Sequence, residues 1–274
     1  MEEKPAIIDG VKITHPSKLL FPEDNISKLD VANYYKSVSK YFLKELKNRP
    51  VTLVRSPDGI HGQRFFQKHP TESFPDYIER IKINEKTGNG IYILIDSLND
   101  LMYLVNLGVI EFHTWGSTAD DIEHPDRAVF DLDPDPSVDM KDVVGLAKQL
   151  KQVLENIGYE PKLKTSGNKG YHIIIDFKKR NKDWPKTKEF ARLIAQNIVK
   201  INPELYTTEL RKDERGGKIF IDFYRNERGA TTVAAYSLRT KPTAPISWPI
   251  EWDDLDKTLP NKFNIKNYSK YLKL

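Results

Sequence analysis

The residues best placed to do chemistry lie in the run Ala128-Val129-Phe130-Asp131-Leu132-Asp133-Pro134, where two carboxylates alternate with apolar side chains. A strand points successive side chains to opposite faces, so Asp131 and Asp133 share one face, roughly 6–7 Å apart along the chain. Like charges held that close repel unless a cation lies between them, which makes the pair a natural half-site for Mg²⁺ or Mn²⁺. A third carboxylate, Asp222, interrupts the apolar run Lys218-Ile219-Phe220-Ile221-Asp222-Phe223-Tyr224. An ionised aspartate there is costly unless it meets Arg225, Arg239 or a metal. Beside Asp131 and Asp133 it would complete the carboxylate set of two-metal phosphoryl transfer.

A second group lies in Lys164-Thr165-Ser166-Gly167-Asn168-Lys169-Gly170-Tyr171-His172, between two expected strands. Its glycines let the backbone approach a bulky anion, whose oxygens successive N–H groups can cradle. Ser166 adds a hydroxyl and Lys169 a mobile positive charge. The spacing is not that of a Walker A loop, and taken alone such a turn is an ordinary hairpin. His113 and His172 both read as structural strand histidines. Phe65 and Phe66 stand beside Arg64 and Lys68, a pattern that can stack on bases, although adjacent strand residues point opposite ways and one ring is expected in the core. Lys18 and Lys28 flank a helix start, where an anion also meets helical N–H groups.

The elements that must position these residues alternate between helix and strand, which gives an α/β or α+β class. Ser27-x-x-Asp30 is a capping box opening a helix over 28–47, with Val31, Tyr35, Val38 and Phe42 at helical spacing. Strands are expected over 51–55, 91–95 and 109–115, and a short helix over 98–107 capped by Ser97. After the aspartate strand, over 127–133, a helix over 139–157 ends at Gly158 and can cross over between parallel neighbours. Strands over 161–165 and 171–177 follow, then a helix from Pro185 to about 200. Two last strands, 218–224 and 231–237, flank the turn Asn226-Glu227-Arg228-Gly229. From Thr240 the prolines at 242, 245, 249 and 260 predict a wrapping tail with a short helix.

A chain of 274 residues with 39% hydrophobic residues, 4 Trp, 13 Tyr and 12 Phe can bury a sizeable core. No apolar run reaches the roughly 18 residues that cross a bilayer, and the N-terminus is too polar for a secretory signal. The absence of cysteine excludes disulfides and Cys-ligated zinc. A cytoplasmic setting fits all three negatives. Residues 96–160 carry 4 Lys/Arg against 14 Asp/Glu, and residues 162–241 carry 19 against 9. An acidic segment beside a basic one suits an enzyme that holds cations and grips polyanions.

Together, Val129-Phe130-Asp131-Leu132-Asp133-Pro134, Ser166-Gly167-Asn168-Lys169-Gly170-Tyr171-His172, Phe220-Ile221-Asp222-Phe223 and Tyr236-Ser237-Leu238-Arg239 resemble, in order and spacing, the polymerase domain of bacterial ligase D in the archaeo-eukaryotic primase superfamily. The resemblance runs from about Ile13 to Trp252. It implies a primase-polymerase fold with an RRM-like catalytic sheet packed against a second α/β module. That fold would form one catalytic domain over 1–274, with an N-terminal DNA-end-binding part over about 1–95 and a C-terminal tail over about 240–274.

The implied function is template-directed nucleotidyl transfer from NTP or dNTP to a DNA 3′-hydroxyl in end-joining or gap-filling repair. Ribonucleotides are preferred, and two Mn²⁺ or Mg²⁺ ions sit on Asp131, Asp133 and Asp222. By the same resemblance His113, Ser166, Lys169, Gly170 and Arg239 hold the incoming nucleotide. Lys18 and Lys28 grip a recessed 5′-phosphate, near which His15 stands where many members have Asn. Phe65 and Phe66 pack on template bases, and Lys212 and Arg215 steer the primer. The expected partners are DNA ends, primer-template or gapped DNA, Ku and a separate ligase, which gives a nucleoid-associated protein. Two readings outside the resemblance are a Mn²⁺-dependent glycosyltransferase, which also uses Asp-x-Asp, and a metal-independent end-binding module.

Overall fold

The computed structural model describes residues 3–85 and 88–272. The outermost residues of the expected end-binding part and tail, at 1–2 and 273–274, lie outside the described residues, as do Lys86 and Thr87. The chain divides into two units. One comprises Met1–Trp115, Val233–Ser247 and Phe263–Leu274, and the other Gly116–Thr232 and Trp248–Lys262.

In the first unit the capping box forms as expected. The Ser27 hydroxyl accepts the Asp30 N–H and the Asp30 carboxylate accepts the Ser27 N–H, opening α1 (Lys28–Leu46). The α1 stripe Val31, Tyr35, Val38 and Phe42 is buried. Tyr35 stacks on Phe42, and both meet the edge of Phe112 on the strand Val109–Trp115. Burial of side chains of this size stabilises by about 1.5–3 kcal/mol each. Val51–Arg55 pairs antiparallel with that strand, and Phe65–Gln67 forms the outer edge. A second capping box, Ser97 with Asp100, opens α2 (Leu98–Asn106).

Two expectations change in this unit. The strand expected over 91–95 is half of a hairpin, Arg80–Glu85 with Gly88–Ile93. Its glycines at 88 and 90 hid the earlier start, because glycine carries no strand propensity. The strand expected over 231–237 stops at Val233, since Tyr236 adopts φ +68°, a left-handed turn that breaks the extended run.

The second unit is one sheet with two helices on one face. The strand order is Tyr206–Thr207, Ile219–Asp222, Arg127–Pro134, Tyr171–Asp176, Lys162–Thr165 and Pro249–Ile250. All neighbours are antiparallel except the first pair. Phe130, Leu132, Leu163, Ile173 and Ile221 turn toward α3 (Met140–Asn156) and α4 (Trp184–Ile201), and pack with Leu146, Leu150, Leu154, Ala191 and Ile194. Gly158, at φ +87°, ends α3 as expected.

The central strands follow the chain order strand, helix, strand, strand, helix, strand, which is the split βαβ arrangement expected of an RRM-like sheet. The α3 crossover does not join neighbours. Arg127–Pro134 and Lys162–Thr165 run parallel, but Tyr171–Asp176 fills the slot between them, antiparallel to both. The short turn at 166–170 returns the chain directly into that slot. No helix among the described residues is long and apolar enough to cross a membrane.

Candidate active site

One polar row crosses four strands of the second unit. Asp222 pairs with Asp131, Asp131 with His172, and His172 with Lys164. Directly opposed residues share a face, with Cβ atoms about 4.5–5.5 Å apart. The apolar alternates of the same strands point to the helices, so this row lies on the face opposite the core. Asp133, two residues past Asp131, lies on that face opposite Phe220. The three aspartates singled out from sequence are thus brought together by register alone.

Cations of the chain hold them. Arg225, in the turn that follows Asp222, places Nε 3.0 Å from Asp222 Oδ2 and 3.7 Å from Asp131 Oδ2. His172 Nε2 stands 3.3 Å from Asp131 Oδ1. Arg215 donates from Nη1 to Asp133 Oδ2 at 3.2 Å, and its guanidinium lies 3.8 Å over the Phe220 ring. Side-chain exposure rises from 9% at Asp222 through 18% at Asp131 to 45% at Asp133, so only Asp133 opens freely to solvent. Burial acts to raise the Asp131 pKa, but the charge and hydrogen bond of His172, with the charges of Arg225 and Lys164, hold it well below the usual carboxylate range. Asp222 moves the opposite way. Burial pushes its carboxyl up against the pull of Arg225, and the neighbouring Asp131 charge pushes it further.

Among the described residues no group of three or more His, Asp or Glu side chains stands in ligating geometry, the arginines occupying the carboxylates instead. The donor set nevertheless fits a hard divalent cation. It offers carboxylate oxygens only, from three residues on one face, and two of them face each other across adjacent strands. Like charges directly opposite are destabilising in a sheet, so an added cation finds its largest gain there.

The turn beside this row differs in detail from its sequence reading. Ser166 Oγ accepts the N–H groups of Asn168 and Gly170, each at 3.2 Å, and Gly167 donates its N–H to the Pro260 carbonyl. These N–H groups therefore shape the turn itself. The close approach that Gly170 permits is to the aspartate strand, since a Cβ built on it would lie 1.7 Å from the Leu132 carbonyl oxygen. Lys169 and Lys212 both help lower the pKa of Asp135, whose main stabilisation comes from hydrogen bonds with Ser137.

His113 and Arg239 lie in the first unit, gathered by a residue that sequence reasoning passed over. Glu111 Oε2 accepts His113 Nε2–H at 2.9 Å and Arg239 Nε–H at 3.0 Å, while its Oε1 accepts the Thr240 N–H at 2.7 Å and the Thr240 hydroxyl. Burial acts to raise the Glu111 pKa, and the hydrogen bonds and charges of His113 and Arg239 and the Thr240 hydroxyl hold it well below the usual range. Lys28 is buried and donates to the Asn106 carbonyl at 3.1 Å, its pKa drawn down by burial and the nearby Lys18 charge. Lys18 pairs with Asp58 at 2.7 Å. Phe65 and Phe66 are 40% and 76% exposed, so neither joins the core. Their strand is the edge of its sheet, where burial of one face is not assured.

His172 was read as merely structural, but register makes it the direct neighbour of Asp131. Lys164 and Glu111 were missed as site residues, whereas Arg225 is a salt-bridge partner that the sequence offered for Asp222. For Glu111 the available signal was a charge at a strand position whose neighbours on either side are apolar, Ile110 and Phe112.

Residues 27–274 match the family described as "LigD, primase-polymerase domain". The "Multifunctional non-homologous end joining protein LigD" of Pseudomonas aeruginosa is 38% identical over 264 residues, which are 96% of this chain and 31% of that protein. The "Bifunctional non-homologous end joining protein LigD" of Bacillus subtilis is 31% identical over 256 residues, 93% of this chain and 41% of that protein. The chain thus spans between 31% and 41% of the length of these relatives. Among solved structures, the polymerase domain of Mycobacterium tuberculosis Ligase D in complex with DNA superposes with a TM-score of 0.89 at 28% identity, covering 95% of this chain and 93% of that one.

Proposed function

The chain belongs to the primase-polymerase domain family of LigD, a nucleotidyltransferase family, and on that premise we propose that it extends a DNA 3′-hydroxyl in end-joining or gap-filling repair. The observation that carries the reading is the register of Asp131 against Asp222, with Asp133 on the same face. These three residues would hold Mn²⁺ or Mg²⁺, which when bound lowers the pKa of the 3′-hydroxyl and offsets charge on the departing pyrophosphate.

The chain's own residues prepare that site. Arg225 keeps Asp222 and Asp131 facing one another until a stronger cation arrives. His172 and Lys164 keep Asp131 ionised, as a ligand must be. Ser166 and Lys169 offer a hydroxyl and an ammonium to the triphosphate, and the family resemblance assigns a phosphate-binding role to His113 and Arg239 as well. Arg215 and Lys212 serve the primer strand, Lys18 and Lys28 a 5′-phosphate, and the exposed rings of Phe65 and Phe66 the template bases. Ribonucleotide preference, two ions per site, action at the nucleoid and partnership with Ku and a ligase complete the proposal.

The test is extension of a gapped, 5′-phosphorylated duplex, comparing rNTP with dNTP and Mn²⁺ with Mg²⁺. Metal-dependent addition favouring rNTP is expected. DNA binding with no addition under any metal would overturn the reading in favour of an end-binding module.

A further inference from the structure

We propose that Glu111 is the positioning residue of the phosphate-directed pair His113 and Arg239. The inference rests on the polymerase reading, in which that pair meets the incoming triphosphate. His113 and Arg239 are far apart in sequence and come from a strand and a separate returning segment, yet both end on one oxygen, Glu111 Oε2, at 2.9 and 3.0 Å. Glu111 itself is 5% exposed and cannot turn away, because Thr240 holds its other oxygen through an N–H and a hydroxyl. The carboxylate is therefore a fixed point around which two cationic side chains are set side by side.

Chemistry gives that fixed point a consequence beyond packing. An ionised carboxylate only accepts, so His113 must carry a proton on Nε2. The ring can then donate to a phosphate oxygen through Nδ1 only as imidazolium, the form a neighbouring carboxylate favours. The Arg239 bond to Glu111 engages Nε, so the guanidinium is oriented by one edge. Without Glu111 neither side chain would have this common anchor. With it they present two donors at a fixed spacing, and such preorganisation strengthens binding of a polyanion. His113 and Arg239 each retain 18% side-chain exposure, against 7% for Glu111. The two donor side chains are thus more exposed than the carboxylate that joins them.

The experiment measures steady-state extension kinetics and inhibition by inorganic tripolyphosphate for the parent, Glu111→Gln, Arg239→Ala and the double variant, with thermal stability followed in parallel. Glu111→Gln should raise KM for the nucleoside triphosphate and the tripolyphosphate inhibition constant together, by about ten- to a hundredfold, with kcat changed far less. Its effect should largely vanish in the Arg239→Ala background, because the two act as one unit. Unchanged KM and inhibition with a lowered Tm would make Glu111 purely structural and overturn the proposal. Should Glu111→Gln fail to fold, Glu111→Asp keeps the charge on a shorter arm that cannot span both partners. A raised KM there supports the proposal and a parental KM overturns it. A parent that neither extends DNA nor responds to tripolyphosphate would instead remove the polymerase reading itself.

Discussion

Two buried carboxylate centres, one in each unit, solve the same electrostatic problem in opposite ways. Glu111 is a single acid whose two oxygens are matched by four donors from His113, Arg239 and Thr240, and its pKa is driven down. Asp222 and Asp131 are two acids abreast sharing one arginine, and Asp222 is driven up by burial and by its neighbour. A carboxylate matched by fixed donors is a positioning device and gains little from another cation. A pair held face to face gains most from one, which is why the second centre, rather than the first, is where a divalent ion belongs.

The largest effect that would break this contrast comes from Asp131→Asn. It should lower extension of a primed duplex by about a thousandfold or more, because it removes the middle ligand of the row. Retained extension would equate the two centres. Next is Gly170→Ala, which leaves every charge in place but drives a methyl group into the Leu132 carbonyl. It should destabilise the second unit by about 3 kcal/mol in a denaturant titration, with activity falling as the aspartate strand shifts. A parental unfolding midpoint would mean that the turn can retreat.

Acid sharpens the comparison further. The folded-state pKa of Glu111 is depressed, so its contribution to stability is complete above the ordinary value of 4.5 and lost as pH falls below it. Glu111→Gln should therefore be less stable than the parent at neutral pH but lose less on acidification, so that the two stability curves run parallel down to about pH 4.5 and converge below it. Curves parallel throughout would contradict the assignment. The smallest effect is that of Phe66→Ala at the exposed edge. Stability should stay within about 0.5 kcal/mol, while affinity for a template overhang falls several-fold in a binding titration.

Much of this was legible before any coordinates. Helical spacing and the Ser27–Asp30 box gave α1 and its buried stripe, and the alternation around Asp131 gave both its strand and the face it shares with Asp133. What stayed hidden was register. Nothing local tells Asp131 that its partners are Asp222 on one side and His172 on the other, because those pairings join strands 91 and 41 residues away. For the same reason His172 read as an isolated strand histidine, and Glu111 was passed over. The burial of Phe65 and Phe66 was misjudged because sequence shows alternation but not whether a strand is an edge. The aspartates themselves needed no register to be noticed, since charge in an apolar run is visible in the residue types alone.

The most direct test of the central claim is uptake of Mn²⁺, followed by the loss of its free-ion electron paramagnetic resonance signal as protein is added to the ion without DNA or nucleoside triphosphate. The parent and Glu111→Gln should both take up the ion, and Asp131→Asn and Asp222→Asn should not. Equal uptake by all four proteins would contradict the claim that the carboxylate row of the second unit holds the metal.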